Sequence, residues 1–367
     1  MQRVQAYPEI LEQIDTIDPV AYTRTRTQLS GAVTQLSPYL SRGVITLPQV
    51  RDRLFARAAP DSCEKLVQEL AWREYFQNVW WEKGDAIFSD LRFSREDWAH
   101  AELVTALVEA DTGIDVIDDS VRKLYDTGYL HNQLRLAVAA IACNCARAHW
   151  FPMGQWFYYH LSDGDLASNF LSWQWVAGTS INKRYSINQE LLTAISDTTQ
   201  AGSWLDVSRE AFLTMPTPVQ LTTHEPFSFT TPYPETPEPP TVAGQDVCCY
   251  TPWTLDPEWR RAQSARRLLI IDPTWFDRFP VSELVMDFIV RQGQTVMPEL
   301  EIFVGDIFAV PGIDGAANIY AKPHPTNRHW PATFDERELL FPKVTGYYPS
   351  FMKYWQAVNS REHTDSV

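Results

Sequence analysis

The sequence predicts a mainly α chain. A large all-helical unit is expected over residues 1–215, a Pro-rich linker or arm over 216–245 and a small α/β unit over 246–367. Three observations carry this expectation. First, apolar residues recur at i, i+3, i+4 and i+7 in segments 63–81 and 117–124, the period of an amphipathic helix. Segment 131–149 is rich in Ala, Leu and Ile with no breaker, which fits one buried helix ended before Pro152. Second, prolines recur at 216, 218, 226, 232, 234, 237, 239 and 240, a density that suits an extended arm. Third, 267–272 reads as a buried strand, 281–291 as an amphipathic helix and 301–306 as a second strand, one strand–helix–strand unit. A last helix is expected over 347–358. No GxGxxG or P-loop accompanies the α/β unit, so it is assigned no nucleotide. Strand-like alternation is absent before residue 210, and there is no internal repeat.

Composition narrows the function classes. With 367 residues, 45% of them hydrophobic, the chain can build one large domain or two. No apolar run of about 18 residues occurs, so no membrane span is expected, and the N-terminus lacks a signal peptide's apolar stretch. Cys63, Cys143, Cys145, Cys248 and Cys249 are odd in number and lack zinc or cluster spacing, which points to a reduced, cytoplasmic setting. Cys143 and Cys145 read as packing residues of the Ala-rich helix. The net charge is −15, and acidic residues outnumber basic ones within 1–200 as well, so any contact with nucleic acid must use a local basic patch.

Four polar clusters punctuate the helical part. Thr34-Gln35-Leu36-Ser37-Pro38 offers hydroxyls and amides at a helix start, which suits either an ordinary cap or a phosphate. Glu69, Trp72 and Arg73 share one helical turn, either as an amphipathic surface or as a face for a flat heterocycle. In Thr127-Gly128-Tyr129-Leu130-His131-Asn132-Gln133-Leu134-Arg135, a glycine break precedes a helix whose Arg135 needs a carboxylate or a ligand. Asp163 is the natural partner. Finally, Asp163-Gly164-Asp165-Leu166-Ala167-Ser168-Asn169 is followed by Trp173-Gln174-Trp175, a mixture of carboxylates, an amide and indoles suited to a polar cofactor held against an aromatic surface. His131 and His160 have no third ligand at useful spacing, so no metal is assigned.

In this order, the motifs TxLSPYLSxG, ELxWREYF, TGxxHNxxR and DGDxAxNxxxWQW resemble the FAD-binding helical domain of the DNA photolyase/cryptochrome family, over about residues 20–200. The resemblance implies FAD as cofactor. It sets Tyr22, Thr34, Leu36 and Ser37 at its phosphates, and Arg73, Asn132, Arg135, Phe157, Asp163 and Asp165 around flavin, ribityl and adenine. Asn169 would face flavin N5, an amide position that leans towards the repair enzymes. Trp173, Trp150 and Trp98 align with an electron-transfer chain, Trp98 through a one-residue gap. Glu69, Trp72, Asn132 and Trp175 match residues that line a pocket for a flipped cyclobutane pyrimidine dimer, which implies UV-damaged DNA, single- or double-stranded, as partner.

Departures from the family pattern are Gln133 for an Arg, Leu136 for a Met, Tyr129 for a Trp and a shorter loop after Trp175. The family's N-terminal α/β antenna domain is expected to be absent. The α/β unit at 246–367 lies on the other side of the helical unit, as a permuted relic of that domain or as something unrelated, and no antenna chromophore is assigned. The expected function is light-driven, FAD-dependent repair of pyrimidine dimers, a deoxyribodipyrimidine photo-lyase. The alternative is a cryptochrome-type blue-light photoreceptor.

Overall fold

The computed structural model of the protein describes residues 3–236 and 241–364. The helical part runs α1 (Tyr7–Asp15), α2 (Pro19–Thr25), α3 (Ser37–Ser41), α4 (Leu47–Phe55), α5 (Pro60–Lys83), β1 (Leu103–Val104), α6 (Thr105–Val108), α7 (Asp115–Thr127), α8 (Asn132–Ala140), α9 (Trp150–His160), α10 (Leu166–Ala177), α11 (Gln189–Ser196) and α12 (Arg209–Phe212). After β2 (His224–Glu225) come β3 (Asp246–Tyr250), β4 (Arg266–Ile271), α13 (Pro273–Arg278), α14 (Glu283–Val296), β5 (Glu301–Val304), β6 (Asn318–Ala321), β7 (Thr333–Phe334) and α15 (Phe351–Thr364).

The central helix α5 has the expected origin. Pro60 sits in its first turn, where a missing N–H costs nothing, with Asp61 beside it, Lys83 in the last turn and Gly84 ending it at φ 55°. Cys63, Leu66, Val67, Leu70 and Ala71 form its buried stripe.

The breaker-free segment 131–149 is not one helix. Helix α8 widens into a π turn over Ile141–Cys145, and Arg147 adopts a left-handed φ of 60°. Tertiary backbone bonds replace the helical ladder here. Ala99 N donates to Arg147 O at 2.9 Å and His149 N to His100 O at 2.8 Å. Pro152 consequently lies in the first turn of α9, a favourable place for proline, rather than beyond a helix end. The two-residue ribbon of β1 on β2, antiparallel, is the one pairing of named strands in this part and qualifies its all-helical description among the described residues.

The C-terminal part is larger in architecture than one strand–helix–strand unit. Its five strands are all parallel, in the order β5-β4-β3-β6-β7. The chain runs outwards from β3 through β4 to β5, then returns to the other side of β3 with β6, the doubly wound arrangement. Side chains alternate with the strand period. Cys248, Tyr250, Leu269 and Ile271 face the core shared with the helices, while Val247, Cys249, Leu268 and Ile270 face a second core with Phe303 and Trp330.

The arm is pinned by polar contacts. Thr217 Oγ1 donates to Cys145 O at 3.0 Å and Thr231 Oγ1 to Phe276 O at 2.8 Å. Its prolines 237, 239 and 240 lie outside the described residues. Helix α15 packs on α5, where buried Glu74 accepts from Tyr354 OH at 2.7 Å, from Phe341 N at 3.0 Å and from Leu340 N. Burial lifts the Glu74 carboxyl above its ordinary 4.5. Its contribution to stability is therefore full below that value and declines as pH rises through the raised one. Glu74→Ala strands these donors and is expected to cost about 3 kcal/mol, read as a lower urea midpoint.

Candidate functional site

Helices α5, α8, α9 and α10 enclose a cavity of about 260 Å³. Helix α5 contributes Glu69, Trp72 and Arg73, α8 contributes Asn132 and Arg135, and α9 contributes Phe157. Asp163 and Asp165 come from the α9–α10 turn, Asn169 and Trp173 from α10, and Ser37 closes one side. Three of the four sequence clusters, with Ser37 from the fourth, thus converge on one space.

Arg135 and Asp163 are its electrostatic anchor. Arg135 Nη2 donates to both Asp163 oxygens, at 3.0 and 2.8 Å, and its Nε to Leu130 O at 2.7 Å. Burial alone would raise the Asp163 carboxyl, but the charge and hydrogen bonds of Arg135, then Ser37 and Arg73, outweigh it and hold the group below its ordinary 3.8. The glycine break that precedes Arg135 is structural. Gly128 has φ +71°, and a Cβ there would lie 2.2 Å from Ser162 Oγ, so the α7–α8 turn is pressed onto the α9–α10 turn. Asp165 caps α10 by accepting from Ser168 N at 2.6 Å, and Gln77 of α5 donates to its other oxygen. Asn169 Nδ2 donates to Gly154 O at 2.8 Å, which leaves its Oδ1 free to accept.

Two polar groups at this cavity lack a hydrogen-bond partner in the protein among the described residues. Among the described residues Arg73 makes no hydrogen bond or ion pair, and the buried Ser168 hydroxyl has no partner. A flat polar molecule with anionic and amide-like edges would satisfy them.

The other expected residues divide. Tyr22 does not line the cavity; it lies near Glu69 and Tyr129, which do, and its phenol is raised by burial and then by the charge of Glu69. Thr34 and Leu36 do not line the cavity. Leu36 is buried in the core, and Gln13 Nε2 donates to Thr34 O at 2.8 Å. A neighbouring cavity of about 390 Å³ adjoins through Tyr129 and Leu130 and carries Gln35 and Lys123. The sequence reading did not single out Gln77 or Lys123. Gln77 lies one turn beyond Arg73 and Lys123 a little more than one turn before Gly128, so helical spacing was the available signal for both.

The four dimer-pocket residues are not gathered in one place. Glu69, Trp72 and Asn132 line the first cavity, whereas Trp175 lines a separate apolar cavity of about 330 Å³ that touches the first through Trp72 and Phe76. Two positions on a helix differ by about 200°, so Trp173 and Trp175 point to opposite sides of α10. Trp72 is itself covered. Phe351 of α15 stacks on it with ring centroids 3.8 Å apart and planes 12° from parallel. Glu69 pairs with Lys65 at 2.9 Å and Arg26 at 3.3 Å.

The three tryptophans lie along an aromatic run. Trp173 borders the cavity, with Phe157 edge-on at 5.2 Å. A Cβ on Gly154 would lie 3.1 Å from Phe170 and 3.5 Å from Trp173, so this glycine lets both rings approach. Trp150 is 6.2 Å from Phe170 and 5.5 Å from His149, which is 5.1 Å from the half-buried Trp98. His131 caps α8, accepting from Gln133 N, and burial lowers His160 to about 4. No helix among the described residues is long and apolar enough to cross a membrane.

Residues 66–205 match the family model described as the FAD binding domain of DNA photolyase. A deoxyribodipyrimidine photo-lyase of Streptomyces griseus is 32% identical over 165 residues, covering 44% of this chain and 36% of that protein. Another, of Synechococcus sp., is 34% identical over 160 residues, 41% of this chain and 33% of that one. A cryptochrome DASH of Gloeobacter violaceus is 30% identical over 176 residues, 45% and 35%. The chain spans about a third of the length of these curated relatives. A solved cryptochrome of Synechocystis sp. aligns at 24% identity and a TM-score of 0.47, over 52% of this chain and 43% of that one. The residues around the cavity fit FAD: Arg73 and Ser168 await polar partners, Asn169 offers a free acceptor, and aromatic walls flank them. The matched segment contains most of α5 and all of α8, α9 and α10, so the helices that wall the cavity lie within the part of the chain that is similar to the FAD binding domain of DNA photolyase.

Proposed function

We propose that the protein repairs cyclobutane pyrimidine dimers in DNA with light, using FAD held in the four-helix cavity. The observation that carries the proposal is that Glu69 and Asn132 share that cavity with Arg135, Asp163 and Asn169. A hydrogen-bonding acid and amide thus adjoin the flavin-binding groups, where a flipped base would arrive. Reduced FAD, when bound and excited, supplies an electron of low enough potential to split the dimer. The chain's own residues do the rest. Arg135 and Asp163 would fix the polar edge of the cofactor, Asp165 and Arg73 would hold its hydroxyl-bearing and anionic parts, and Asn169 Oδ1 would accept a hydrogen bond from an N–H of the cofactor. Glu69 and Asn132 hydrogen-bond the base edges of the dimer. Trp173, Trp150 and Trp98 keep the cofactor reduced by relaying electrons from the surface.

The test is illumination of dimer-containing oligonucleotides, single- and double-stranded, with protein whose FAD is confirmed as reduced. Loss of the dimer in light and not in darkness is expected; unchanged dimers in both strand forms would overturn the repair reading. At a net charge of −15, binding should weaken only shallowly with salt, because the slope follows the small number of phosphates contacted and salt also screens the general repulsion.

A second reading, a blue-light photoreceptor with the same FAD and tryptophans, is favoured by Phe351. Its stack on Trp72 occupies a face that a dimer would use. Offset aromatic pairs are worth about 0.5–1.5 kcal/mol, so Phe351→Ala is expected to tighten dimer binding by about two- to tenfold under the repair reading. Under the receptor reading it leaves DNA affinity unchanged.

A further inference from the structure

Trp150 is fully buried, and its indole N–H has one acceptor: it donates to Asp90 Oδ1 at 2.8 Å. Asp90 comes from 60 positions earlier in the chain, just past the 3-10 turn Gly84–Phe88, and is half-buried. Among the described residues it makes no other hydrogen bond and no ion pair. A carboxylate with an ordinary structural role would bond an Arg, a Lys or a helix terminus; this one is spent on a single indole.

The surroundings of the three tryptophans differ in charge. The Arg95 guanidinium lies 3.8 Å over the face of Trp98 and is held there by Asp97 at 2.8 Å and Asn144 at 2.9 Å. A cation over a neutral ring is attracted by its electron-rich face, and the attraction turns to repulsion when the ring becomes positive. Trp150 has the opposite environment, an anion at its N–H and the ring of His149 on the side of Trp98. Burial lowers the proton affinity of that imidazole, against the charge of Asp90, and its Nδ1 accepts from Phe151 N. An electron hole is therefore lower in energy at Trp150 than at Trp98, which slows its onward passage to the surface without blocking it.

Removing an electron from an indole makes its N–H a strong acid, and an acceptor already at hydrogen-bond distance needs no reorganisation to take the proton. We propose that Asp90 is the proton acceptor of Trp150 and holds the electron hole at this middle tryptophan as a neutral indolyl radical. One electron leaves the Trp150 ring for oxidised Trp173, which returns to its neutral form. The Trp150 N–H bond breaks, and its proton forms an O–H bond on the Asp90 carboxylate. When an electron returns to Trp150, its nitrogen takes the proton back, and nothing is consumed. The proposal rests on the reading that Trp173 is the donor to photoexcited FAD, and Asp90 acts through Trp150 rather than on the cofactor.

The test has two arms that separate it from that reading. In one, FAD-loaded protein is excited by a blue flash. In the other, flavin-free protein is oxidised by photogenerated ruthenium(III) tris-bipyridine. Both are followed by transient absorption and electron paramagnetic resonance, and the difference from Trp150→Phe isolates the signal of Trp150. The expected result is a neutral indolyl radical whose formation slows in D₂O. Asp90→Asn retains the shape and the hydrogen-bond acceptor yet cannot take a proton; it should lose the neutral radical and show the radical cation, or a hole moved to Trp98. Asp90→Glu should restore the neutral species, and an unchanged circular dichroism spectrum excludes misfolding. An Asp90-dependent neutral radical in the ruthenium arm, with none in the flavin arm, supports the role of Asp90 and overturns the flavin-donor reading alone. The same neutral radical and isotope effect in wild type and Asp90→Asn would overturn the proposal.

Discussion

Trp173→Phe is expected to leave FAD bound and to abolish its photoreduction under blue light. Trp173 is buried at 2% exposure, borders the four-helix cavity and is packed edge-on by Phe157. A phenyl ring keeps most of that packing, so the fold and the cavity survive at a cost of about 1 kcal/mol. What it removes is an easily oxidised ring next to the cofactor. The measurement is bleaching of the oxidised flavin band during illumination with an external reductant. Trp150→Phe should slow the same bleaching, because it interrupts the run between Phe170 and His149. Unchanged bleaching in Trp173→Phe would mean that electrons reach the flavin by another route.

Arg135→Ala is the second large effect. Asp163 is 4% exposed and depends on Arg135 as its ion-pair partner, through two hydrogen bonds. Removing one member of a buried pair leaves the other charged and desolvated, which costs about 3 kcal/mol, or about a hundredfold in FAD dissociation constant if the loss falls on the bound state. The variant should be purified colourless. The same pair sets an acid limit. Because the Asp163 carboxyl is held below its ordinary 3.8, its contribution to stability is complete above that value and is lost as pH falls through the lowered one. Wild-type protein should shed FAD with a sharp acid transition that Asp163→Asn lacks.

Three of the four helices that wall the cavity, α5, α8 and α10, were legible because each carries a local signal that tertiary contacts did not override; α9 was not, because Pro152 read as a helix end and instead lies in its first turn. The apolar period of α5, the glycine before α8 and the Asp165 cap of α10 are all readable within one or two turns. The pairing of Arg135 with Asp163, 28 positions apart, was legible from charge economy alone, since each needed an opposite partner. The end of the helix after α8 was not, because backbone bonds from residues 99 and 100 decide it. Most of the sheet was hidden for a related reason. The strand β3 is five residues long and contains two cysteines, and β6 and β7 are four and two residues long. Such runs acquire strand character only from their neighbours. The cover that Phe351 places on Trp72 joins residues from opposite ends of the chain and has no local signature. Helical phase did contain the separation of Trp175 from the four-helix cavity, for residues two positions apart on a helix, such as Trp173 and Trp175, cannot share a face.

The most direct test of the flavin site is titration of flavin-free protein with FAD, followed by the fluorescence of FAD. The cavity predicts one equivalent bound per chain, with the fluorescence quenched by Trp173 and partly recovered in the Trp173→Phe complex. No saturable binding, or a complex whose fluorescence is the same in wild type and Trp173→Phe, would contradict the assignment of this cavity to FAD.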